Sequence, residues 1–203
     1  MKNNEKDLVK LAVQGDKKAF CDLVSMHRAK LRSFSVNIAC GNAALADDIL
    51  QEALVKAFLS MKNFELRGSF TTWLWRIIKN EFINYLRDPS NRLETFSISI
   101  GEKDLDIPAA ENSEKEMIMS DVREEVHRLI SLLPLKLRTA VILVDIQEMC
   151  YEEAAEILEV SLTALKSRVF KGRKKLVEIV NGNVDTKQLS ADRFRSTDDD
   201  EEE

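Results

Sequence analysis

The feature that most restricts the fold is the stretch Phe70–Arg87, FTTWLWRIIKNEFINYLR, which contains both tryptophans of the chain and neither glycine nor proline. Its apolar residues recur at steps of three or four, as they do on the buried side of an α-helix. The stripe consists of Phe70, Leu74, Ile78, Phe82 and Tyr85, widened by Trp73 and Ile77. Arg76, Lys79 and Asn80 fall on the opposite side, and we expect Trp75 to lie beside them while Trp73 lies in the core. By itself the stretch predicts a core helix with a solvated basic face.

Composition favours an all-α fold, because only six glycines and three prolines are spread over 203 residues. So few turn residues leave little scope for a β-rich protein. No apolar run approaches the roughly 18 residues of a membrane span. The start of the chain, MKNNEKDLVK, does not resemble a signal peptide, so a cytoplasmic protein is expected.

The thiols and imidazoles are too few and too scattered to predict a metal or catalytic site. Cys21, Cys40 and Cys150 form no CxxC pair, and His27 and His127 are the only histidines. Reduced cysteines and the absence of any cofactor are therefore expected.

Charge is unevenly distributed along the chain, whose net charge is -5. The final six residues, DDDEEE, contribute -6, so the remainder sums to +1. Residues 88–116 carry 3 basic and 8 acidic groups, whereas residues 161–175 carry six basic groups and no acidic one. The basic segments are where nucleic-acid contacts are expected.

The first part of the chain reads as one compact helical domain, residues 1–87. A short helix over residues 4–14 is followed by one capped by Asp16, which extends to Gly41. Asn42 can cap a third helix, Ala43–Asn63. Its apolar stripe is expected to be buried, and the opposite side of the helix is expected to face solvent. A short loop, Phe64–Ser69, leads into the tryptophan-rich helix.

Residues 88–116 are acidic and contain two of the three prolines, which predicts a flexible linker. A second small domain, 117–180, follows, and from residue 181 the acidic tail is expected to be disordered. The predicted helices of the second domain are Glu116–Leu133, Leu135–Ile146, Tyr151–Leu158 and Ser161–Val180. A short helix closely followed by a basic one is the helix-turn-helix pattern. On the last helix, Phe170 lies among lysines on the side expected to be exposed, which suits a DNA-facing surface better than a core.

Four stretches in this order resemble bacterial RNA polymerase sigma factors of the two-domain, extracytoplasmic-function type. They are GDKKAF at Gly15–Phe20, ADDILQEALVKAF at Ala46–Phe58, RGSFTTWLWRIIKN at Arg67–Asn80, and LPLKLRTAVIL, YEEAAEIL and ALKSRVFKGRKKL between Leu133 and Leu176. The resemblance implies promoter-specific initiation, with core RNA polymerase and promoter DNA as partners and no small-molecule substrate. Some relatives also have an anti-sigma protein.

The resemblance also implies roles for individual residues. A face of the third helix would dock on the polymerase: Asp48, Gln51, Glu52 and Val55. The loop and the helix after it would bind the minus-ten element, with one base flipped out: Phe64, Arg67, Ser69, Trp75, Arg76, Lys79 and Asn80. The last helix would enter the major groove at the minus-thirty-five element: Ser161, Thr163, Ala164, Ser167, Arg168, Phe170 and Lys171. Aromatic rings can stack on a flipped base, and Asn is well suited to adenine.

The sequence departs from the family pattern around Tyr151–Leu158. Glu148 and Glu159 stand where relatives usually have glycine, and each costs about 1 kcal/mol if its φ is positive. Cys150 replaces the usual capping Ser. Ala154 and Ala164 replace a branched residue and a Thr.

Three other functions remain open from the sequence alone. One is a stand-alone helix-turn-helix regulator, although the N-terminal domain resembles no ligand-binding unit. A second is an enzyme, for which no nucleophile, base and orienting group are apparent. A third is a relative that sequesters partners without reading DNA, against which the retained basic residues argue. The acidic tail could also fold back on the basic helix, although a solubilising role is the simpler interpretation.

Overall fold

The computed structural model describes residues 2–64, 69–88 and 114–182, with the side chains of 5–64, 69–88 and 119–182. Within these ranges the chain forms helices and no strand. The N-terminal unit consists of α1 (Lys2–Val13), α2 (Lys17–Ile38), α3 (Ala43–Ser60) with a 3-10 turn at Met61–Asn63, and α4 (Phe70–Arg87). The second unit consists of α5 (Glu114–Ser131), α6 (Leu135–Val141), α7 (Tyr151–Leu158) and α8 (Leu162–Val180). The all-α prediction is confirmed.

Capping residues set the helix starts, at Asp16 and Asn42 as the sequence predicted and at Ser69 in addition. The Asp16 carboxylate accepts hydrogen bonds from the backbone N–H groups of Lys18 and Ala19, and the Asn42 side chain accepts from that of Leu45. The Ser69 hydroxyl caps α4 by accepting from the N–H of Thr72 at 3.4 Å. These bonds satisfy N–H groups that have no partner within their own helix.

The second unit contains two departures from regular helix geometry. After Val141 the chain continues as a single π-helical turn, Ile142–Ile146, rather than as the straight α-helix expected to Ile146. Glu148 and Glu159 have φ values of 53° and 57°, so both occupy the left-handed region that favours glycine. The strain expected at these two positions is therefore present.

The two units pack against each other. Most of their buried apolar residues form one continuous cluster that extends from Val9 in α1 to Val169 in α8, and Leu133, Val141 and Ile179 form a second, smaller one within the second unit. Polar contacts flank it, with Gln147 donating to the Ser33 hydroxyl at 3.2 Å and His127 Nε2 lying 3.0 Å from Asn37 Oδ1. Nothing in the sequence had predicted this contact.

Several predictions fall outside the described residues. They are Arg67 and nearly all of the predicted linker (88–116) and acidic tail (181–203). The domain boundaries at 87, 116 and 180 stay predictions. No described helix is long and apolar enough to cross a membrane.

Candidate nucleic-acid interface

Helix α8 presents a polar and basic face to solvent. Leu165 and Val169 anchor its other side in the core, with 0% and 1% of their surface exposed. The helix starts at Ser161, whose hydroxyl accepts from the Ala164 N–H at 3.2 Å. The predicted contact residues that are exposed are Ser161, Thr163, Ser167, Phe170 and Lys171, while Ala164 and Arg168 are half-buried. Phe170 is 69% exposed, an unusual position for a phenyl ring and one from which it can contact a ligand.

A glycine holds α8 close to α6, and an ion pair joins α8 to the π-helical turn that follows α6. A Cβ atom added at Gly172 would lie 2.6 Å from Val141 Cγ2, so the two helices approach as closely as they do because this side chain is absent. The Arg173 guanidinium forms a bidentate ion pair with the Asp145 carboxylate, in which Nε donates to Oδ2 at 3.1 Å and a terminal nitrogen donates to Oδ1. These hydrogen bonds raise the pKa of Arg173. Arg173 is therefore already paired, and Lys174 Nζ lies 3.9 Å from Glu178 Oε1 on the same helix.

The predicted polymerase-docking face lies on the exposed side of α3. Asp48, Gln51, Glu52 and Val55 are all exposed, and Val55 retains 52% of its surface. Gln51 and Val55 also line an open groove of about 840 Å³ between α2 and α3. Its apolar lining is formed by Phe20, Val24, Leu50, Leu54, Phe58 and Leu59. The sequence identified the polar residues of this face but not the apolar groove beside it, whose signal is the exposed apolar pair Val55 and Leu59.

The aromatic side chains at the start of α4 are arranged differently from the expectation for Trp73 and Trp75. Trp73 is half-buried, and its ring packs edge-on against Phe64 with centroids 5.1 Å apart. Phe64 is only 7% exposed and also packs against Phe70. Trp73 is therefore partly accessible, whereas Phe64, on which it packs, is buried.

The prediction that Trp75 lies on the exposed face is wrong. Trp75 is 2% exposed, and its ring stacks on Phe34 of α2. The physical reason is helical geometry, since Trp75 stands seven residues before Phe82 and so shares its side of the helix. Trp75 is therefore removed from the candidate contact residues in this conformation.

Two of the basic residues predicted to hold DNA on α4 face α7. Lys79 is 5% exposed, and Arg76 is half-buried. Their partners are Glu156, Ile157 and Glu159, in and just after α7. Asn80, one residue further along, is exposed. The interface with α7 therefore covers Arg76 and Lys79 but leaves Asn80 accessible.

Sequence reasoning missed the acidic side of that contact. Glu153, Glu156 and Glu159 recur at three-residue steps, and this spacing opposite a basic helix face was the available signal. Glu153 Oε1 accepts a hydrogen bond from the Thr72 hydroxyl at 3.1 Å. Cys150, at the start of α7, makes no side-chain cap, as its replacement of Ser predicted.

His127 is the buried ionisable group at the other end of the contact between the units. It is 8% exposed, and burial is the main cause that lowers its pKa, with a further contribution from the charge of Arg123. The protein packs so tightly here that a Cβ atom at Gly41 would lie 2.6 Å from His127 Nδ1.

The described residues contain no cluster that suits a metal. No group of three or more His, Cys, Asp or Glu side chains converges among them. The three cysteines are free thiols.

A helix-turn-helix with an exposed basic second helix, packed on a helical N-terminal unit, defines a DNA-binding transcription protein. Residues 23–92 match the family model for sigma-70 region 2, and residues 123–176 match that for sigma-70 region 4. The chain is 33% identical over 177 residues to the ECF RNA polymerase sigma-E factor of Haemophilus influenzae, covering 82% of this chain and 90% of that protein. It is 31% identical over 175 residues to the RNA polymerase sigma-H factor of Pseudomonas aeruginosa, covering 84% and 90%.

Two solved structures are similar in fold. One is the sigma factor RpoE in complex with the anti-sigma factor NepR from Bartonella quintana, with a TM-score of 0.61, 25% identity and coverage of 81% of this chain and 98% of that one. The other is CnrH in complex with the cytosolic domain of CnrY, with a TM-score of 0.63, 22% identity and coverage of 89% and 99%. The chain belongs to the extracytoplasmic-function family of RNA polymerase sigma factors. It is a transcription initiation factor that directs polymerase to promoters, not a stand-alone regulator.

Proposed function

We propose that the chain binds core RNA polymerase through α3 and reads two promoter elements, one with each helical unit. The observation that carries this proposal is the exposed face of α8, where Thr163, Ser167, Phe170 and Lys171 project from a helix anchored by buried Leu165. Lysines on such a face neutralise phosphates and release condensed counterions, while the hydroxyls and the ring contact base edges. This unit would read the minus-thirty-five element.

The minus-ten element would be bound by the N-terminal unit. Asn80 is exposed and can recognise a base edge, and half-buried Trp73 offers a ring for stacking. Arg67 and Ser69 would complete the base pocket, and Arg76 and Lys79 would hold phosphates once they are uncovered. The two units would comprise residues 1–87 and 117–180, joined by a linker over 88–116.

Polymerase would bind the exposed polar face of α3 and the adjoining groove. Asp48 and Glu52 supply charges for complementary ion pairs, and Val55 supplies apolar area at the centre of the surface. The polymerase would carry out the chemistry, so the chain itself would act in the cytoplasm as a binding protein and not as an enzyme. An anti-sigma partner is consistent with the similarity to RpoE of Bartonella quintana, a sigma factor whose structure was solved in complex with the anti-sigma factor NepR.

The test is retention of promoter fragments, taken from upstream of the chain's own gene, with and without bacterial core polymerase. Specific retention only with core supports the proposal, and tight specific binding by the chain alone contradicts it. Phe170→Ala and Lys171→Ala should weaken retention through the upstream element, whereas Val180→Ala at the exposed end of the same helix should not. Asn80→Ala should change base preference at the downstream element; equal losses on all sequences would show that it contacts only phosphate.

A further inference from the structure

Three polar side chains connect α1 and α2 to the first turn of α4. His27 Nε2 in α2 lies 3.0 Å from Glu5 Oε1 in α1. The Thr71 hydroxyl of α4 lies 3.4 Å from His27 Nδ1 and 3.5 Å from Nε2. We call these three residues the imidazole bridge.

The chemistry of the groups assigns the donors and acceptors of the bridge. The Glu5 carboxylate can only accept, so His27 Nε2 donates its proton to that side chain. In the neutral imidazole Nδ1 is then an acceptor for the Thr71 hydroxyl. One nitrogen of the ring therefore serves α1 and the other serves α4. The ring is largely enclosed, since 17% of the His27 side chain is exposed.

The imidazole also packs near the aromatic residues at the start of α4. The ring centroids of His27 and Phe70 are 6.1 Å apart. The Phe70 ring in turn lies 6.2 Å from that of Phe64 and 5.8 Å from that of Trp73. Phe70 is 3% exposed, so it is a supporting ring and not a surface for a base. His27 therefore reaches the ring offered for stacking, Trp73, through one intervening side chain.

The first turn of α4 has a long capping bond of its own, so additional contacts matter there. The Ser69 hydroxyl accepts from the Thr72 N–H at 3.4 Å, whereas the Asn42 cap of α3 measures 3.0 Å. A hydrogen bond of 3.4 Å lies outside the usual range of about 2.7–3.2 Å. The contact of Thr71 with the imidazole is equally long. The turn is thus held by several weak contacts, and His27 supplies two of them, one polar and one aromatic.

None of the roles proposed above uses His27. It is not a proposed contact of DNA or of polymerase, and no metal-type cluster is found among the described residues. A histidine that only fills space would contribute to stability alone. The position of His27 next to the turn that carries Ser69 and Trp73, both part of the candidate base site, indicates a more specific role.

We propose that His27 is a positioning residue for the minus-ten base site. Glu5 orients its imidazole, which acts on the first turn of α4 through Thr71 and Phe70. This inference rests on the proposed function, since it names a determinant of base selectivity at the same site. A site discriminates between similar ligands only if supporting residues hold its contact side chains to within about 0.5 Å. Loss of His27 therefore reduces the preference for one base over another and leaves binding itself in place.

The experiment compares the base selectivity of holoenzymes assembled from bacterial core polymerase and the wild-type chain or a variant. The probes are fluorescein-labelled single strands that carry the downstream element of the promoter fragment from upstream of the chain's own gene, with each base substituted in turn. Selectivity is the ratio of the affinities, measured by fluorescence anisotropy, for the best and the worst base at the most discriminating position. A variant that is only less stable has fewer competent molecules and binds every probe more weakly by the same factor, so its ratio does not change.

Two substitutions of His27 separate hydrogen bonding from packing. His27→Phe keeps a ring beside Phe70 but cannot form hydrogen bonds, so selectivity should fall about three- to ten-fold. His27→Gln retains a donor and an acceptor and should keep most of the selectivity. Unchanged selectivity in His27→Phe would overturn the proposal, and so would a loss in His27→Gln as large as that in His27→Phe.

A second pair of variants tests the other end of the polar contact. Thr71→Val removes the hydroxyl with little change of shape and should lower selectivity, whereas Thr71→Ser keeps the hydroxyl and should not. If the Val and Ser variants at Thr71 have the same selectivity, the imidazole does not act through this hydroxyl and the proposal is wrong.

Glu5 gives the sharpest test, because it reaches the base site only through His27. Glu5→Ala should lower selectivity in the wild-type chain but not further in His27→Phe. The matched control is Asp7→Ala, which removes an exposed carboxylate of α1 whose ion pair is with Lys10 on the same helix. Additive losses from Glu5→Ala and His27→Phe would overturn the proposal, as would equal effects of Glu5→Ala and Asp7→Ala.

The same holoenzymes separate this inference from the proposed function. If the wild-type holoenzyme retains the promoter fragment and prefers particular bases, and the variants of the imidazole bridge keep that preference, only the positioning role is refuted. If the wild-type holoenzyme retains no promoter fragment or shows no base preference, the proposed function fails and the positioning role fails with it. The expected result is retention by every holoenzyme, with reduced selectivity in His27→Phe, Thr71→Val and Glu5→Ala.

Discussion

The indole ring of Trp75 stacks on the phenyl ring of Phe34, with centroids 4.8 Å apart and planes inclined by 3°. This pair joins α4 to α2 at the centre of the N-terminal unit, and 0% of Phe34 is exposed. Truncating a buried aromatic side chain removes its apolar contacts and leaves a cavity.

Trp75→Ala should therefore lower the free energy of unfolding by about 3–5 kcal/mol. Trp73→Ala should cost less, because Trp73 is half-buried. Urea denaturation followed by circular dichroism measures both. An equal loss for the two variants would contradict the assignment of Trp75 to the core and Trp73 to the surface.

The local features of the fold could be predicted from the sequence because each depends on neighbouring residues. Asp16 and Asn42 cap helices where the pattern placed them, since a cap requires only a side chain and N–H groups two or three residues later. The stripe on α3 and the exposed face of α8 follow equally from helical periodicity.

The features that the sequence did not predict depend on what lies beside each helix. Helix α4 packs on two sides, with Trp75 against α2 and Lys79 against α7, whereas the pattern was interpreted as a single buried stripe. Contacts between residues 78–80 positions apart, such as those of Lys79 with Ile157 and Arg76 with Glu156, leave no local trace in a single sequence. These contacts between α4 and α7 were therefore found only in the structure.

The missing cap at Cys150 offers a stabilising substitution. Cys150 is already in the extended conformation of a capping residue, with φ -66° and ψ 152°, but its side chain makes no capping hydrogen bond. In Cys150→Ser the hydroxyl can accept from the Glu153 N–H, which should add about 0.5–1 kcal/mol of stability. For a chain of this size the melting temperature should rise by about 2–3 °C in calorimetry.

The matched control is Cys21→Ser. Cys21 is also an exposed thiol but lies inside α2, where no cap is needed, so its replacement should leave the melting temperature nearly unchanged. A lower melting temperature for Cys150→Ser would show that α7 does not start at Tyr151.

The contact of Gly172 with Val141 allows a double-mutant cycle. In Gly172→Ala the new methyl group would meet Val141 Cγ2 at 2.6 Å, and the Leu137 carbonyl oxygen is next at 3.5 Å. Overpacking of this kind should cost about 1–3 kcal/mol of unfolding free energy. Combining it with Val141→Ala removes the clashing methyl, so the double variant should be more stable than the sum of the single losses predicts. Additive losses would show that α6 and α8 are not in contact through this pair.

The burial of His127 predicts a pH dependence of stability. Burial lowers the pKa of His127 in the folded chain, so the unfolded chain, where the pKa is about 6.5, binds more protons just below that pH. Unfolding free energy rises with pH wherever the unfolded state holds more protons. Stability is thus fully present above about pH 7 and should decrease as the pH falls from there towards the folded pKa.

Urea denaturation at a series of pH values, kept above about pH 5 so that carboxylates stay ionised, measures this slope. His127→Gln removes the titrating group and should flatten the curve. Arg123→Gln should only reduce the slope, because Arg123 is a smaller cause of the lowered pKa than burial, and Glu124 acts in the opposite direction. If the unfolding free energy of the His127→Gln variant still depends on pH as in the wild-type chain, another group causes the effect. A slope abolished by Arg123→Gln would show that charge, and not burial, controls the proton at the contact between the two units.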